Sequence, residues 1–199
     1  MARRSEHSRE EIKQMVLAAA EDIVLEQGFA ALKVRKVASD IGYTVGSIYM
    51  VFSSMDDLIM HIKVRTWQSM MQHLEAHRQV TESIEDIDLM ALAYLDFAID
   101  KQGLWCMLFE HRLPSGSVLP DWYLQENERV FEYVYGLFCQ LQSTHSDEQL
   151  RQAAQTLIRG MQGVCMQLLT EQLQLNIDAA KAEMLLLVDC FMRGWLLER

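Results

Sequence analysis

The residues of this sequence best suited to bind a charged partner lie between positions 33 and 49. Three basic side chains come first, at Lys33, Arg35 and Lys36. Small, hydroxyl-bearing and aromatic residues follow, namely Tyr43, Thr44, Val45, Gly46, Ser47 and Tyr49. Basic groups and hydroxyls bind phosphate oxygens, and small side chains allow a close approach to base edges and thymine methyl groups. The sequence therefore predicts a DNA-contacting surface formed by this stretch.

Two short helical patterns would position these side chains. The first is an apolar face at helical spacing, formed by Val34, Val37, Ala38 and Ile41. Gly42 follows it, where a residue just past a helix end often needs a positive φ, and Thr44 can cap a second helix. The apolar residues of that second helix are Ile48, Met50, Val51 and Phe52. Such a pair forms a helix-turn-helix, in which the second helix enters the DNA major groove and the first crosses the backbone.

An amphipathic helix precedes this pair. Ser8 followed by Glu11 predicts a capping box and a helix from about residue 9 to residue 27. The apolar residues that would pack on the two short helices are Ile12, Val16, Ala19, Ala20, Ile23 and Val24. Arg3 and Arg4 could form an arm that reaches the minor groove or the DNA backbone. A disordered tail is the equal alternative for this pair.

A further set of residues falls in fixed register around the helix-turn-helix. The set comprises Gly28-Phe29, Val34-Arg35-Lys36-Val37-Ala38, Gly42, Gly46-Ser47-Ile48-Tyr49, Phe52, Ser54 and Asp57-Leu58. With these residues, the stretch from about 12 to 59 resembles the DNA-binding domain of the TetR family of bacterial transcriptional repressors. The resemblance implies an all-α fold, with an N-terminal three-helix helix-turn-helix domain in residues 1–54 and a helical ligand-binding and dimerisation bundle in residues 55–199.

Four positions depart from the pattern of that family. Lys33 replaces a helix-capping Thr or Ser, and Val45 replaces a common lysine of the recognition helix. Val51 stands where His or Tyr is usual, and Met55 where a phosphate-binding lysine is usual. Backbone amides and the N-terminal arm would replace the missing phosphate contacts, or DNA affinity would be modest. The same positions keep open a second hypothesis, a helical protein-protein adaptor with a vestigial helix-turn-helix.

The rest of the chain predicts a series of helices. Ser54 can cap a long fourth helix that continues to about residue 77 and would act as a lever between the two domains. The polar, acidic residues 79–88 predict a loop, and so do residues 113–120, which contain both prolines. Further helices are predicted over residues 89–101, 104–109, 121–142, 146–174 and 178–197. Gly103 would end the first of these, and Asp121, Ser146 and Asp178 would cap the last three.

Aromatic and methionine-rich segments of the body are candidates for lining the small-molecule pocket that the family resemblance implies. The candidate residues are Tyr94, Phe97, Trp105, Phe109, Trp122, Tyr123, Phe131 and Met161. For each of them core packing is the competing interpretation. Thirteen methionines give an adaptable interior suited to an apolar molecule. Asp96, Asp100 and Glu110 near the aromatic groups would favour a cation.

The resemblance further implies a homodimer formed through the last two helices, which are apolar around most of their circumference. Gly160 and Gly163 would permit a close approach of helices there. Each subunit would place its recognition helix in one major groove of a palindromic operator. An effector bound in the body would favour a dimer with wrongly spaced DNA-binding domains and so release the DNA.

Composition and motifs exclude several other functions. A net charge of −10 argues against a histone-like, non-specific DNA binder. The chain has no apolar run of membrane-spanning length and no signal-peptide pattern near its start, so a cytoplasmic protein is expected. The four cysteines (Cys106, Cys139, Cys165 and Cys190) are far apart and are expected to be buried free thiols.

No catalytic pattern is evident in the sequence. It contains no glycine-rich phosphate loop, no GxSxG and no HExxH, so we expect no enzyme and no cofactor. His73 and His77 have the i, i+4 spacing of metal ligands. Without a third ligand in view, they are expected to be exposed histidines on a polar face rather than a metal site.

Overall fold

The architecture follows from a computed structural model that describes residues 7–79, 83–141, 145–170 and 176–196. The described chain is helical and contains no strand, which confirms the all-α fold class. Its helices are α1 (Arg9–Gln27), α2 (Val34–Asp40), α3 (Val45–Ile48), α4 (Met55–Ala76), α5 (Ile84–Asp100), α6 (Gln102–Glu110), α7 (Asp121–Gln140), α8 (Asp147–Thr170) and α9 (Ile177–Leu196), with a 3-10 turn at Phe29–Ala31 after α1.

The described residues form two compact units. The first unit holds the residues up to Thr66 together with Gly103–Tyr123, and the second holds Trp67–Gln102 together with the residues from Leu124 onward. Helix α4 thus contributes residues to both units, whereas α6 belongs to the first from Gly103 onward. The boundary between residues 54 and 55 that the sequence suggests stays a prediction.

A single apolar core holds the first unit together. Its fully or largely buried members are Val16, Leu17, Ala20, Ile23, Val24, Leu32, Val37, Ala38, Ile48, Phe52, Leu58, Ile59, Ile62, Leu104 and Met107. Burial of a large apolar side chain stabilises a fold by about 1.5–3 kcal/mol. Helices α1 to α4 and α6 therefore depend on one another for their positions.

Hydrogen-bonded caps fix the starts of α1 and α4 as the sequence predicts. At α1, the Glu11 amide donates to Oγ of Ser8 over 3.2 Å, and the Ser8 amide donates to Oε2 of Glu11 over 2.6 Å. These hydrogen bonds lower the pKa of the Glu11 carboxyl. At α4, the Asp57 amide donates to Oγ of Ser54 over 3.0 Å, and the Asp57 carboxylate accepts from the Ser53 amide over 2.7 Å. Both helix starts are therefore specified by short-range chemistry.

Helix α5 begins earlier than the sequence suggests, so the prediction of a loop through residue 88 is wrong. The Glu85 amide donates to Oγ of Ser83 over 3.2 Å, which caps the helix. Ile87 is fully buried and Asp86 is 5% exposed, because α5 packs on α8 and α9 within the second unit. The prediction that Gly103 breaks a helix is also wrong, since Gly103 lies in the first turn of α6.

Two of the predicted caps on the later helices need correction. At α9 the Ala179 amide donates to Oδ1 of Asn176 over 3.0 Å, so Asn176 and not Asp178 caps that helix. Asp121 is the first residue of α7 rather than its cap. The Ser146 capping box of α8 is confirmed, with the Gln149 amide donating to Oγ of Ser146. The ends predicted for α8 and α9, residues 174 and 197, lie outside the described residues.

Helix α6 is held on the first unit by close packing and by a buried charge. Gly103 lies against the Val24 carbonyl of α1 so closely that a Cβ there would be 2.1 Å from the carbonyl oxygen. Lys63 of α4 is 3% exposed, and its Nζ donates to the carbonyl oxygens of Leu108 (2.9 Å) and His111 (3.0 Å) at the end of α6. Burial lowers the pKa of Lys63 from 10.5 to about 8.

The second unit is a helical bundle in which α5 packs on α8 and α9 and these two pack on each other. Large side chains that are almost completely buried in it include Tyr94, Leu95, Phe138, Leu157, Met161 and Met184. In the described part of the chain no helix is both long enough and apolar enough to cross a membrane.

Substitution of Gly103 tests the close packing of α6 on α1. Because the obstructing atoms are backbone, Gly103→Ala is expected to destabilise the protein by about 1–3 kcal/mol through overpacking. The matched control is Gly136→Ala in α7, where a Cβ meets no atom within 4 Å. The free energy of unfolding of that control is expected to rise by about 0.5–1 kcal/mol, since alanine is a better helix former than glycine. Thermal denaturation measures both changes, and equal stabilities of the two variants would contradict the packing.

Candidate DNA-contacting surface

The helix-turn-helix that the sequence predicts is formed by α2, a tight turn and α3. Gly42 has φ 70°, a left-handed conformation that residues other than glycine rarely adopt. The Tyr43 amide donates to the Ala38 carbonyl over 2.9 Å, which closes the end of α2. The turn therefore directs the chain from α2 into α3 over residues 41–44.

Helix α3 is only one turn long and is capped by a side chain. Thr44 Oγ1 accepts from the Ser47 amide over 3.2 Å and lies 3.0 Å from Oγ of Ser47. After Ile48 the chain continues in a helical turn, in which the Phe52 amide donates to the Ile48 carbonyl over 3.0 Å. Thr44 thus has a structural role as the cap, in addition to its predicted position on the DNA-contacting surface.

The buried side of α3 differs in one residue from the expectation. Ile48 and Phe52 are 1% and 2% exposed, as core residues should be. Met50, which the sequence pattern assigned to the apolar side, is 63% exposed. The Met50 amide still donates to the Gly46 carbonyl over 3.1 Å, so the helical turn includes Met50. Its side chain is exposed because a position two residues after Ile48 lies about 200° around the turn from that buried side chain.

The predicted DNA-contacting residues differ in how far their side chains are exposed on the first unit. Lys33, Arg35, Thr44, Gly46 and Tyr49 are exposed, with Tyr49 exposed by 47%. Lys36, Tyr43, Val45 and Ser47 are half-buried. Arg3 and Arg4 lie outside the described residues. The structure thus brings the described members together on α2, the turn and α3.

The cations of this surface are few. Nζ of Lys36 lies 3.9 Å from Oδ2 of Asp40, so a carboxylate one turn away partly neutralises its charge. Arg35 makes no hydrogen bond or ion pair to another described residue and is exposed. A guanidinium in this state is free to bind a phosphate or a guanine edge.

The apolar replacements in the recognition segment have a structural explanation. Val45, Val51 and Met55 are half-buried and pack against the core of the first unit. Their side chains therefore contribute to the position of α3 and to the start of α4. They do not form an exposed apolar patch.

His7 also lies at this surface, although the sequence alone does not indicate it. Nδ1 of His7 lies 2.7 Å from the Tyr43 hydroxyl, and the two ring centroids are 6.1 Å apart. The contact joins residues 36 positions apart, so no local pattern could indicate it. It places the start of the described chain beside the turn that leads into α3.

The candidate ligand-binding residues are divided between the two units. Trp105, Phe109, Trp122 and Tyr123 belong to the first unit, and Tyr94, Phe97, Phe131 and Met161 belong to the second. Trp122 is 37% exposed and packs on His61 with 4.5 Å between ring centroids. Trp105 is fully buried beside Phe109. The assignment of these residues to a ligand stays a prediction.

Expectations for the titratable side chains need correction at three positions. Cys139 and Cys190 are exposed rather than buried, because they lie on outward faces of α7 and α9. Cys165 is buried, and burial raises its pKa to about 12.

His73 is half-buried beside Phe97, with its Nε2 atom fully buried, and burial lowers its pKa. The ring of His77 lies 4.4 Å from that of His73, and the described residues contain no cluster of three or more potential metal ligands.

The segment that forms this surface is similar to a known protein family. Residues 16–62 match the family model described as bacterial regulatory proteins, tetR family. The chain is 23% identical over 117 residues to the HTH-type transcriptional regulator Mb1846 of Mycobacterium bovis. This match covers 57% of this chain and 50% of that protein. The match thus spans about half the length of this curated relative.

Solved structures share the fold over nearly the whole chain. A TetR-like transcriptional regulator from Rhodococcus sp. RHA1 is 18% identical, with a TM-score of 0.65 and coverage of 98% of this chain and 100% of that one. BioQ with its double-stranded DNA operator is 21% identical, with a TM-score of 0.63 and coverage of 91% and 98%. The multidrug binding protein EbrR complexed with imidazole is 17% identical, with a TM-score of 0.60 and coverage of 92% and 96%.

The matched segment contains most of α1, the whole of α2 and α3 and the start of α4, which are the elements that build the DNA-contacting surface. The family model and the shared helical fold agree with the register of glycines and aromatic residues in that segment. The N-terminal segment of the chain, residues 16–62, thus matches the helix-turn-helix domain of the tetR family of bacterial regulatory proteins, and the chain shares the helical fold of solved TetR-like proteins.

Proposed function

We propose that this protein is a transcriptional regulator of the TetR family, a repressor that binds palindromic operator DNA as a homodimer in the cytoplasm and is released by a small molecule. The observation that carries the proposal is the capped, core-anchored α3 with Arg35 and Tyr49 exposed beside it. BioQ, which shares the fold, was solved with an operator duplex. In this arrangement α3 would enter the major groove and α2 would cross the backbone.

The charge distribution favours sequence-specific binding over non-specific binding. The net charge of the chain is −10, which repels the phosphate backbone at long range. Arg35 on each subunit would then supply one of the few close phosphate or base contacts. Arg3 and Arg4 precede His7 by a few residues, and we propose that they add a second set of backbone contacts.

Selection from a pool of random duplex DNA tests the proposal directly. The full-length protein is incubated with the pool at low and at physiological salt, and the retained DNA is sequenced. A palindromic motif retained at physiological salt, with half-sites about one helical turn apart, supports a dimeric operator-binding protein. Retention only at low salt, without a motif, contradicts it and favours the adaptor hypothesis.

Arg35→Ala and Tyr49→Ala are each expected to weaken binding to the selected site by about 1–3 kcal/mol. For a phosphate contact, Arg35→Ala also lowers the slope of log affinity against log salt by about 1. The matched control is Arg129→Ala in α7, which removes the same charge from a side chain of the second unit. Fluorescence anisotropy titrations measure the affinities. Unchanged binding by both variants would mean that the DNA-contacting surface lies elsewhere.

The homodimer is proposed to form through α8 and α9. Leu186 of α9 is 61% exposed, and Ile177 and Leu196 at its ends are about two-fifths exposed, at 39% and 42%. A large apolar side chain that is mostly exposed in the middle of a helix, as Leu186 is, favours a surface that a partner covers. The two last helices form the dimer interface in the family that this chain resembles.

Leu186→Glu is expected to convert the dimer to monomers, because a carboxylate would be buried without a partner in the interface. The dimer dissociation constant should rise at least about thirtyfold, the equivalent of roughly 2 kcal/mol. Val118→Glu is the control, since Val118 is 93% exposed in the loop between α6 and α7. Analytical ultracentrifugation measures both variants. A dimeric Leu186→Glu variant would contradict an interface on this face of α9.

The effector is proposed to be a small apolar or cationic molecule. Aromatic and methionine side chains of the second unit, such as Tyr94, Phe97 and Met161, are the candidate contacts in that unit. Acidic groups on the same helix as Phe97 would favour a cation, although Asp96 already pairs with Lys181 at 3.0 Å. EbrR, which shares the fold, is named a multidrug binding protein.

A thermal-shift screen of apolar cations and their neutral analogues is expected to yield compounds that raise the denaturation midpoint, since a ligand that binds the folded state stabilises it. At saturation such a compound should lower operator affinity at least about tenfold. An anionic analogue serves as the control. A stabilising compound that leaves operator affinity unchanged would contradict its role as an inducer.

The adaptor hypothesis is the weaker of the two. It rests on the apolar residues Val45, Val51 and Met55, which stand where the family usually has polar groups. Packing of these side chains on the core accounts for their apolar character without a protein partner. The DNA-binding proposal therefore explains more of the surface with fewer assumptions.

A further inference from the structure

We infer that His7 and Tyr43 together form a proton-sensitive phosphate-binding pair at the edge of the DNA-contacting surface. The inference rests on the proposed DNA-binding function and adds to it a residue, His7, outside the helix-turn-helix. It also adds a property, a dependence of DNA affinity on pH. The ligand class is a backbone phosphate of the operator, next to the start of α3.

The position of the pair follows from the hydrogen bonds around it. Tyr43 immediately precedes Thr44, which caps α3. The Tyr43 hydroxyl lies 2.7 Å from Nδ1 of His7, and both residues are half-buried. In a docked helix-turn-helix the start of the recognition helix is the end closest to the DNA. His7 is therefore held at the end of α3 where phosphates are expected.

The protonation state of His7 decides what the pair presents to a phosphate. A neutral imidazole can accept a hydrogen bond from the Tyr43 hydroxyl at Nδ1. Its own hydrogen is then on Nε2. A charged imidazole donates from Nδ1 to the Tyr43 oxygen, so that the tyrosine proton becomes available to another acceptor. The charged form thus offers a positive charge and two donors, from Nε2 of His7 and the hydroxyl of Tyr43, to an anionic oxygen.

The other ionisable group beside His7 is compatible with this role. Glu11 on α1 interacts electrostatically with His7, and its carboxylate is already bonded to the Ser8 amide. Tyr43 faces the ring from the turn before α3. Glu11 and Tyr43 are thus titratable neighbours of His7, on α1 and in the turn before α3.

The sign of the pH effect follows from linkage. A phosphate interacts more favourably with a charged imidazole than with a neutral one, so a phosphate contact at His7 is stronger when the ring is protonated. The additional affinity is therefore present at acidic pH and is lost as the pH rises. Imidazoles titrate in the range of about pH 5–8, which is where the effect should be measured.

The test compares the full-length protein with His7→Gln on the duplex selected from the random pool. The glutamine amide can still bond the Tyr43 hydroxyl but cannot carry a charge. Affinity is measured over a series of salt concentrations at about pH 6 and about pH 8. For the unsubstituted protein, the slope of log affinity against log salt should be steeper at the lower pH by about 0.9 per subunit. For His7→Gln this difference should disappear.

Two further variants separate the pair from other causes. Tyr43→Phe removes the hydroxyl and is expected to reduce the pH dependence without abolishing it, since Nε2 of His7 remains. Arg35→Ala is the control for a phosphate contact that does not titrate, and it should keep the full pH dependence. Thermal denaturation of each variant at both pH values checks that folding is unchanged.

The outcomes are distinguishable. If the unsubstituted protein retains no specific DNA at all, the proposed function and this inference both fail. If it binds its site but the pH dependence of the salt slope is the same in His7→Gln, the operator-binding proposal stands and the role of His7 is refuted. Loss of the pH dependence in His7→Gln alone, with unchanged stability, supports the phosphate-binding pair.

Discussion

Burial of Ile48 and Phe52 in the core of the first unit is the constraint on which the DNA-contacting surface depends. Helix α3 is four residues long, and an isolated helix of that length is not stable in water. Its cap at Thr44 contributes about 1 kcal/mol, and its two buried side chains contribute several times more. The orientation of the exposed residues is therefore set by the apolar core rather than by helix propensity.

The same core includes a segment distant in the sequence. Leu104 and Met107 of α6 are buried among the residues of α1 to α4. The Lys63 amine binds the end of α6 from α4, and Gly103 allows the backbone of α6 to approach α1. A displacement of α6 would have to break this packing or this buried hydrogen bonding. Any displacement of α6 would therefore disturb the same core that positions α3.

Local chemistry was predictable from the sequence, and long-range placement was not. The capping boxes at Ser8 and Ser146, and the turn at Gly42, follow from residue types a few positions apart. The start of α5 was missed because its first turn is acidic and resembles a loop, whereas burial of Ile87 in the second unit makes it helical. The position of α6 in the first unit and the contact of His7 with Tyr43 have no local signature, since tertiary packing alone brings those residues together.

The small number of cations on the DNA-contacting surface bears on how specificity would arise. Lys36 is partly neutralised by Asp40, and the chain carries a net charge of −10. Few non-directional phosphate attractions remain, so under the proposed function binding to arbitrary DNA would be weak. Binding to a correct site then depends on contacts with strict geometry, such as a guanidinium or tyrosine held against rigid helices. A dimer doubles these contacts only where two half-sites have the right spacing. A surface with few positive charges therefore favours discrimination between sites over total affinity.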